Sequence, residues 1–465
     1  LSSRFFILSH KDGARVSILF VYCATKFAMF FGNCFNLILS HLLQVINAFK
    51  YLGAFVQVRM SRSKNRIPLK FLLFVSFSLL CSSLWAQDTV TLKRNQKDLI
   101  DIAGSVLKTK WLVERDTLSK KSGRIYFSGA PSIGFSLTSG WAGIFVGDAA
   151  FFTSEYQEQK ISIVYVDLLY TQKDQFVARL QSNIWTRDNK LNLVSDWRYY
   201  WYPQKTYGLG GQSNLENFVD QTYSYIRFHQ TVLAPIIPNW YFGLGLAYDY
   251  HYDIVQKVGS TEVLNQINQY GLSKNTTSAG LLVNVLYDDR INSINPWGGT
   301  YFNFVYRPNF TFFGSDASWQ MVSLDVRRYI PFPRNSENIL ALWNYNWFTF
   351  AGNAPYLDLP ATGWDPFSNT GRGYIQGRFR SKNLVYGEAE YRFKILRNGL
   401  IGGVVFGNAQ TITDWPSGNF NGVAMGVGTG LRLKFNKHSR TNVCIDYAWG
   451  QGGSQGVFVN LGEVF

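Results

Sequence analysis

Beyond residue 86 the chain has no run of eighteen apolar residues, which excludes a membrane-spanning helix there. Charge is scarce as well, at 16% of the 465 residues. Cysteine and histidine are few, four and five, and neither type shows metal-ligand spacing. What is abundant is aromatic: 37 Phe, 27 Tyr and 14 Trp, at a mean hydropathy of −0.07. Many rings without long apolar runs suit a β-barrel, which hides its membrane surface by alternating side chains and carries aromatic girdles at both interfaces. The same alternation also fits an aromatic-rich soluble β-sandwich, so repetition along the chain has to separate the two.

Met60-Ser-Arg-Ser-Lys-Asn-Arg-Ile-Pro-Leu-Lys70 is basic, Phe71 to Leu80 is apolar, and Cys81-Ser-Ser-Leu-Trp-Ala86 ends on a small residue. This order predicts a signal peptide over 60–86, cut before Gln87. Residues 1–59 then read as a mis-assigned start; the rival reading is a membrane helix around Val16 to Val58, although Lys26, Asn33, Asn36, His41 and Lys50 interrupt it. Removing residues 1–86 takes away ten basic residues and one acidic residue, so the net charge of +15 falls to +6. No basic stripe remains to follow phosphates, which removes the case for nucleic acid. Cys23, Cys34 and Cys81 leave with the leader, so Cys444 has no internal disulfide partner. Residues 87–123 form a short periplasmic segment in which Gln96 to Leu112 is amphipathic enough for a helix.

From Arg124 onward, alternating segments are separated by turn residues. The predicted strands are 124–136, 141–153, 160–171, 175–186, 190–202, 221–234, 240–252, 276–288, 300–310, 319–330, 338–350, 382–395, 400–411, 421–435, 441–450 and 455–465. That is sixteen, an even number, which returns both ends of the barrel to the periplasm. Connections after even strands are short, such as Pro235 to Asn239, Leu396 to Asn398 and Asn436 to Arg440. Those after odd strands include the long stretches Asp253 to Asn275 and Ala351 to Ser381. The expected fold is an all-β, sixteen-stranded antiparallel barrel of a Gram-negative outer membrane, in contact with its lipids.

Parity assigns the faces, because a charge at the lipid midplane costs about 2–4 kcal/mol. In the twelfth strand Val385, Gly387, Ala389, Tyr391 and Phe393 are predicted to face lipid, and Tyr386, Glu388, Glu390, Arg392 and Lys394 the lumen. Asp325 and Arg327 in the tenth strand, and Asn442, Cys444 and Asp446 in the fifteenth, also take lumen parity. In the last strand Val457, Val459, Leu461 and the terminal Phe465 are predicted to face lipid, with Asn460 and Gly462 inward. Glu463 then falls at the interface.

The connection between the eleventh and twelfth strands holds Thr370-Gly-Arg-Gly-Tyr374, followed by Asn383-Leu-Val-Tyr-Gly-Glu-Ala-Glu-Tyr-Arg-Phe393. Here the chain resembles the BamA- and TamA-like outer-membrane assembly barrels, the bacterial surface antigen family. Tyr207-Gly-Leu-Gly210, Tyr287-Asp-Asp-Arg-Ile-Asn292 with Pro296 and Gly299, and Leu461-Gly-Glu-Val-Phe465 are similar too, so the likeness spans roughly residues 124–465. The resemblance implies a loop folded into the lumen and latched by Arg372, Gly373 and Tyr374, with Arg372 paired to Glu390. Where the family has a second acidic partner this chain has Asn408, within Phe406-Gly-Asn-Ala-Gln410. The physical case is independent: an Arg entering a barrel needs carboxylates in reach, and a bidentate pair would pin a long loop. Without the resemblance, a surface loop whose Arg meets solvent, with Glu388 and Glu390 lining the wall, is the better reading of these residues.

The resemblance implies insertion or translocation of polypeptide at the outer membrane, with nascent outer-membrane polypeptides and periplasmic or lipoprotein partners. Residues 87–123 are too few for the family's periplasmic transport-associated domains. A route for such work is a weak seam between the first strand, around Pro131 and Ile133, and the last, around Val457 and Val459. Pro131 offers no backbone donor there. A closed barrel with Pro131 at a bulge is the competing reading. A passive channel and a partner-bound structural barrel are the alternatives for function. No enzyme, cofactor or metal is expected. Gly452-Gly-Ser-Gln-Gly456 fits G-x-S-x-G in letters, but it lies in a hairpin with no helix after it, and His229, His251 and His438 have no partner visible in the sequence.

Overall fold

The computed structural model describes residues 96–107, 125–136, 139–155, 159–334, 336–437 and 440–465. The leader, the reading of residues 1–59, Cys23, Cys34, Cys81 and His438 lie outside them. Sixteen long strands make one antiparallel sheet: β1 Ile125–Ser136, β2 Gly140–Phe151, β3 Ser162–Thr171, β4 Phe176–Trp185, β5 Asn192–Trp201, β6 Val219–Ile237, β7 Trp240–Gly259 and β8 Thr276–Asp288. They continue as β9 Gly299–Asn309, β10 Trp319–Pro331, β11 Ile339–Ala351, β12 Asn383–Lys394, β13 Ile401–Ile412, β14 Ala424–Asn436, β15 Thr441–Gly450 and β16 Gln455–Leu461. Each long strand pairs with the next, and a three-residue strand, Gln204–Thr206, adds to the edge of β6 beyond the end of β5. β1 and β16 come side by side, with Cα atoms within 8 Å, and among the described residues no hydrogen-bonded ladder joins them.

The outer face shows why the alternation exists. Trp197, Tyr199 and Trp201 on β5, Leu244, Leu246 and Tyr248 on β7, and Met425, Val427 and Leu431 on β14 are all exposed. So large an apolar surface would be a liability in water and is the lipid band of a barrel. The opposite parity carries the buried charges: Arg198, Asp249, Asp325, Arg327, Glu388, Glu390, Arg392 and Asp446.

Three expectations change. The sixth and seventh strands are 19 and 20 residues long, and their hairpin continues to the pair Val219 and Gly259. Pro235 to Ile237 stays within β6, and Asn239, at φ +64°, makes the turn. The loop expected over Asp253 to Asn275 therefore begins as strand and then forms helix α1, Thr261–Tyr270. Val263 and Ile267, four apart, give this helix one buried apolar face, and Gly271 at φ +98° stops it. A second helix, α2, Leu99–Leu107, precedes β1. Asp98 and Asp101 each accept the other's backbone N–H, a reciprocal cap, and Lys437 Nζ reaches Asp101 at 2.8 Å.

The last correction is at the C-terminus. β16 stops at Leu461, Gly462 takes φ +92°, and the following residues turn into the lumen. Phe465 does not face lipid; it stacks on Trp343 at 5.1 Å and lies under the Arg392 guanidinium. Glu463 is not at the interface either, because its carboxylate accepts from Arg432 at 2.8 Å and Asn442 at 2.6 Å. Those partners lie inside, and a carboxylate with paired donors is far cheaper to bury there than to expose to lipid.

Candidate functional site

The connection between β11 and β12 does not leave the barrel. Its root is apolar: Tyr356 and Leu359 are fully buried with Tyr223, Trp319 and the α1 residues Val263 and Ile267. Its tip is tied to itself by Asp365, whose carboxylate accepts from the backbone N–H groups of Phe367, Asn369 and Thr370 and from the Thr370 hydroxyl. A short acidic side chain capping several amides holds a turn without any sheet.

This knot delivers Arg372 to the wall. Its Nη1 donates to Asp446 Oδ2 at 2.6 Å, its Nη2 donates to both Glu388 and Glu390, and the guanidinium lies 3.5 Å over the Phe406 ring. Asn408 does not meet the guanidinium. Its Nδ2 donates to the Arg372 carbonyl at 2.9 Å, and Oδ1 has no partner among the described residues. The missing acidic group is supplied instead by Asp446, two strands further round. Gly373, at φ +101°, passes so close to β15 that a Cβ would sit 3.0 Å from the Gly450 nitrogen. The Tyr374 hydroxyl donates to the Met425 carbonyl at 2.6 Å and accepts from the Gln451 amide at 2.9 Å.

The charges continue as one network. Arg392 donates to Glu390 at 2.7 Å, Arg432 donates to Asp446 at 2.5 Å, and Glu463 joins them from the C-terminal turn. Arg392 Nη2 also reaches the Phe465 carbonyl, and Asn369 Nδ2 the Val464 carbonyl at 2.6 Å. The residues after the last strand thus touch both the latch and the loop. The sequence left this unseen, although one signal existed: Asp446 has lumen parity with only Asn442 and Cys444 beside it on its strand, so its cation had to come from elsewhere.

A second charged cluster holds the loop on the opposite wall, and the sequence reading missed it. Asp249 accepts from Tyr225, from Arg227 at 3.0 Å and from Arg307 at 2.6 Å, and lies 2.7 Å from His229 Nε2. His251 stacks on Tyr225 at 4.2 Å and lies 3.8 Å from Asp358, whose carboxylate accepts from Ser278 Oγ at 2.6 Å. His229 and His251 therefore do have partners. At the tip, the Pro366 carbonyl accepts from Arg198 Nη2 at 2.6 Å. β5 and β13 are eight strands apart in a barrel of sixteen, so the loop bridges the full lumen.

Burial first, and then the nearby charge of Asp249, push the Asp358 carboxyl up to about 7. A released loop would hold it at the ordinary carboxylate value, so docking favours the protonated form. That contribution is complete below the ordinary value and is lost as pH rises through about 7. Protease clipping within residues 352–382 is expected to be faster at pH 8 than at pH 6. Asp358→Asn, compared at each pH to cancel the protease's own profile, should abolish the difference.

The seam residues occupy the flanking strands. Pro131 and Ile133 pair with Phe145 and Gly143 on β2, and Val457 and Val459 with Tyr447 and Ile445 on β15. Gly452 and Gly453, both at positive φ, make the β15–β16 hairpin turn, followed directly by strand. Among the described residues no cluster of His, Cys, Asp or Glu could hold a metal ion, and no helix is long and apolar enough to cross a membrane.

A latched inward loop in a sixteen-stranded barrel agrees with the family match, since the Omp85 superfamily domain covers residues 132–465. The chain belongs to the Omp85 superfamily. The same barrel is seen in the crystal structure of BamA from Haemophilus ducreyi lacking POTRA domains 1–3, at 14% identity and TM-score 0.50 over 83% of this chain and 81% of that one. CdiB from Acinetobacter baumannii follows at 12% identity and TM-score 0.47, over 73% of this chain and 60% of that one. No curated protein sequence matches.

Proposed function

We propose that this Omp85 barrel inserts or translocates polypeptide at the outer membrane, with its long loops outward, its short turns and both ends periplasmic, and no bond chemistry of its own. The observation that carries the reading is the loop between β11 and β12, pinned by Arg372 on one wall and by Pro366 and Asp358 on the other. A straight path through the lumen is obstructed. The wall offers another: β1 and β16 lie side by side with no ladder between them among the described residues, and unpaired strand edges recruit incoming strands. Polypeptide substrates and periplasmic or lipoprotein partners follow from this reading. A passive channel is disfavoured by the bridging loop, because such a pore conducts through its lumen.

Depletion of the protein followed by outer-membrane proteomics tests it. The expected result is loss of one or more other barrel or surface proteins from the membrane, with their precursors accumulating. An unchanged outer-membrane proteome, together with loss of small-solute permeability, would replace this reading with the channel.

A further inference from the structure

Strand β9 carries its apolar period past its own end. Phe302, Phe304, Tyr306, Pro308, Phe310 and Phe312 occupy alternate positions, and the last two lie beyond the final ladder residue, Asn309. Ring contacts continue the column. Tyr306 stacks on Phe350 at 6.3 Å, Phe310 stacks on Phe312 at 4.9 Å, and Phe312 meets Phe313 at 4.6 Å. Phe312 is 72% exposed, the most of any large apolar side chain among the described residues, and Phe313 is 47% exposed. The turn from β9 to β10 therefore presents an apolar knob, which in water would be a liability.

Depth identifies what covers it. At the short-turn end of the wall Phe302 packs with Trp240, rings 6.1 Å apart, and Trp240 with Tyr287 at 5.0 Å. From that belt to Phe312 is ten residues, which at about 3.4 Å per residue and a tilt of about 40° rise about 26 Å. The apolar band of such a barrel is about 25 Å tall, so the knob stands at the opposite interface. A neighbouring strand agrees: the Phe310 amide donates to the Ala279 carbonyl at 2.9 Å, and Ala279 pairs with Tyr248, which is exposed on the outer wall of β7. The knob continues the lipid band.

The backbone of the turn is suited to that setting. The amides of Phe313, Gly314, Ser315 and Asp316 donate to protein carbonyls at 3.0 to 3.2 Å, and the Thr311 amide donates to Ser318 Oγ at 3.3 Å. Amides left unpaired would hold the turn in water. Its single charge, Asp316, is directed back to the start of β8, where its carboxylate accepts the Thr277 amide at 2.8 Å.

We propose that Phe310, Phe312 and Phe313 form an anchor embedded in membrane lipid at the long-loop interface, with Phe312 and Phe313 among the headgroups and upper acyl chains. Three rings held in one rigid turn enter the bilayer without ordering a flexible loop. β9 is eight strands from β1, so the anchored wall faces the seam across the lumen and would stay fixed while the seam moves. The anchor itself does not rest on that movement.

The test places the photoreactive phenylalanine analogue p-benzoylphenylalanine at position 312 of the full chain in cells, followed by irradiation. The analogue at Leu244, exposed in mid-wall, is the lipid-facing reference, and at Glu262, exposed on α1, the water-facing one. Adducts are identified by gel and mass spectrometry. Lipid adducts are expected at 312 within about threefold of the yield at 244 and at least about tenfold above that at 262. An adduct at 312 to another polypeptide, or to a second copy of this chain, would overturn lipid as the occupant. No adduct at 312 where 244 gives one would overturn the anchor, and position 313 serves in the same way if the 312 chain does not assemble. Phe312→Ser combined with Phe313→Ser should slow assembly into phosphatidylcholine vesicles at least about threefold. Assembly at the wild-type rate would overturn the anchoring role.

Discussion

Arg372→Ala is expected to free the loop and to destabilise the barrel by about 3–5 kcal/mol, the cost of leaving buried charges without their partner. Glu388, Glu390 and Asp446 would face one another with only Arg392 and Arg432 remaining, in a site where all of them are buried. The measurements are heat-modified migration on gels and the rate of proteolysis within residues 352–382. Arg372→Lys should fall between, since an ammonium keeps the charge and loses the fork that spans carboxylates on two strands. Exchanging Arg372 with Glu390 should not rescue it, because the introduced carboxylate would still meet Glu388 and Asp446. Equal clipping of wild type and Arg372→Ala would mean that the loop is held by the Asp358 and Pro366 contacts alone.

The second large effect concerns the seam. Cysteines placed pairwise on β1 around Ile133 and on β16 around Val459, in a Cys444→Ala background, should crosslink under mild oxidation, since the two strands are neighbours. If the wall opens to pass polypeptide, a fully crosslinked population loses activity in an insertion assay, and reduction restores it. The expected loss is near complete, because a covalent clamp joins the two strands that, among the described residues, lie side by side without a ladder. Full activity in the crosslinked barrel would rule out lateral opening. Cys444 is itself a poor participant, being buried with its thiol directed to the Gly462 carbonyl.

Much of the barrel was legible because the membrane enforces a strict rule. A charge on the lipid face is so costly that Glu388, Glu390 and Arg392 disclose the lumen by parity alone, and turn residues between alternating segments disclose the count. Arg372 was legible too, through its motif and its need for a carboxylate. The pairing it makes was legible only in part. Glu390 was named, but Asp446 and Glu388 share the guanidinium, and Asn408 meets the backbone instead. Contacts between strands far apart in sequence depend on where the loop crosses, and alternation carries no such information. The histidines show the same limit, since Asp249 and Asp358 reach them from other strands and from the loop.

The last residues divide the two sources of information most clearly. Sequence alone determined an all-β membrane barrel, its sixteen strands, the faces of those strands and the length of the loop after the eleventh, because each follows from local alternation and turn chemistry; that the loop folds inward came from the resemblance of its Arg-Gly-Tyr motif. It placed Phe465 against lipid for the same reason, by extending a period of two to the end of the chain. Only the tertiary structure decided that Gly462 breaks that period, that Glu463 finds Arg432 and Asn442, and that Phe465 finds Trp343. A buried carboxylate goes where its donors are, and those donors are assembled by the sheet of sixteen strands, not by neighbours in the sequence.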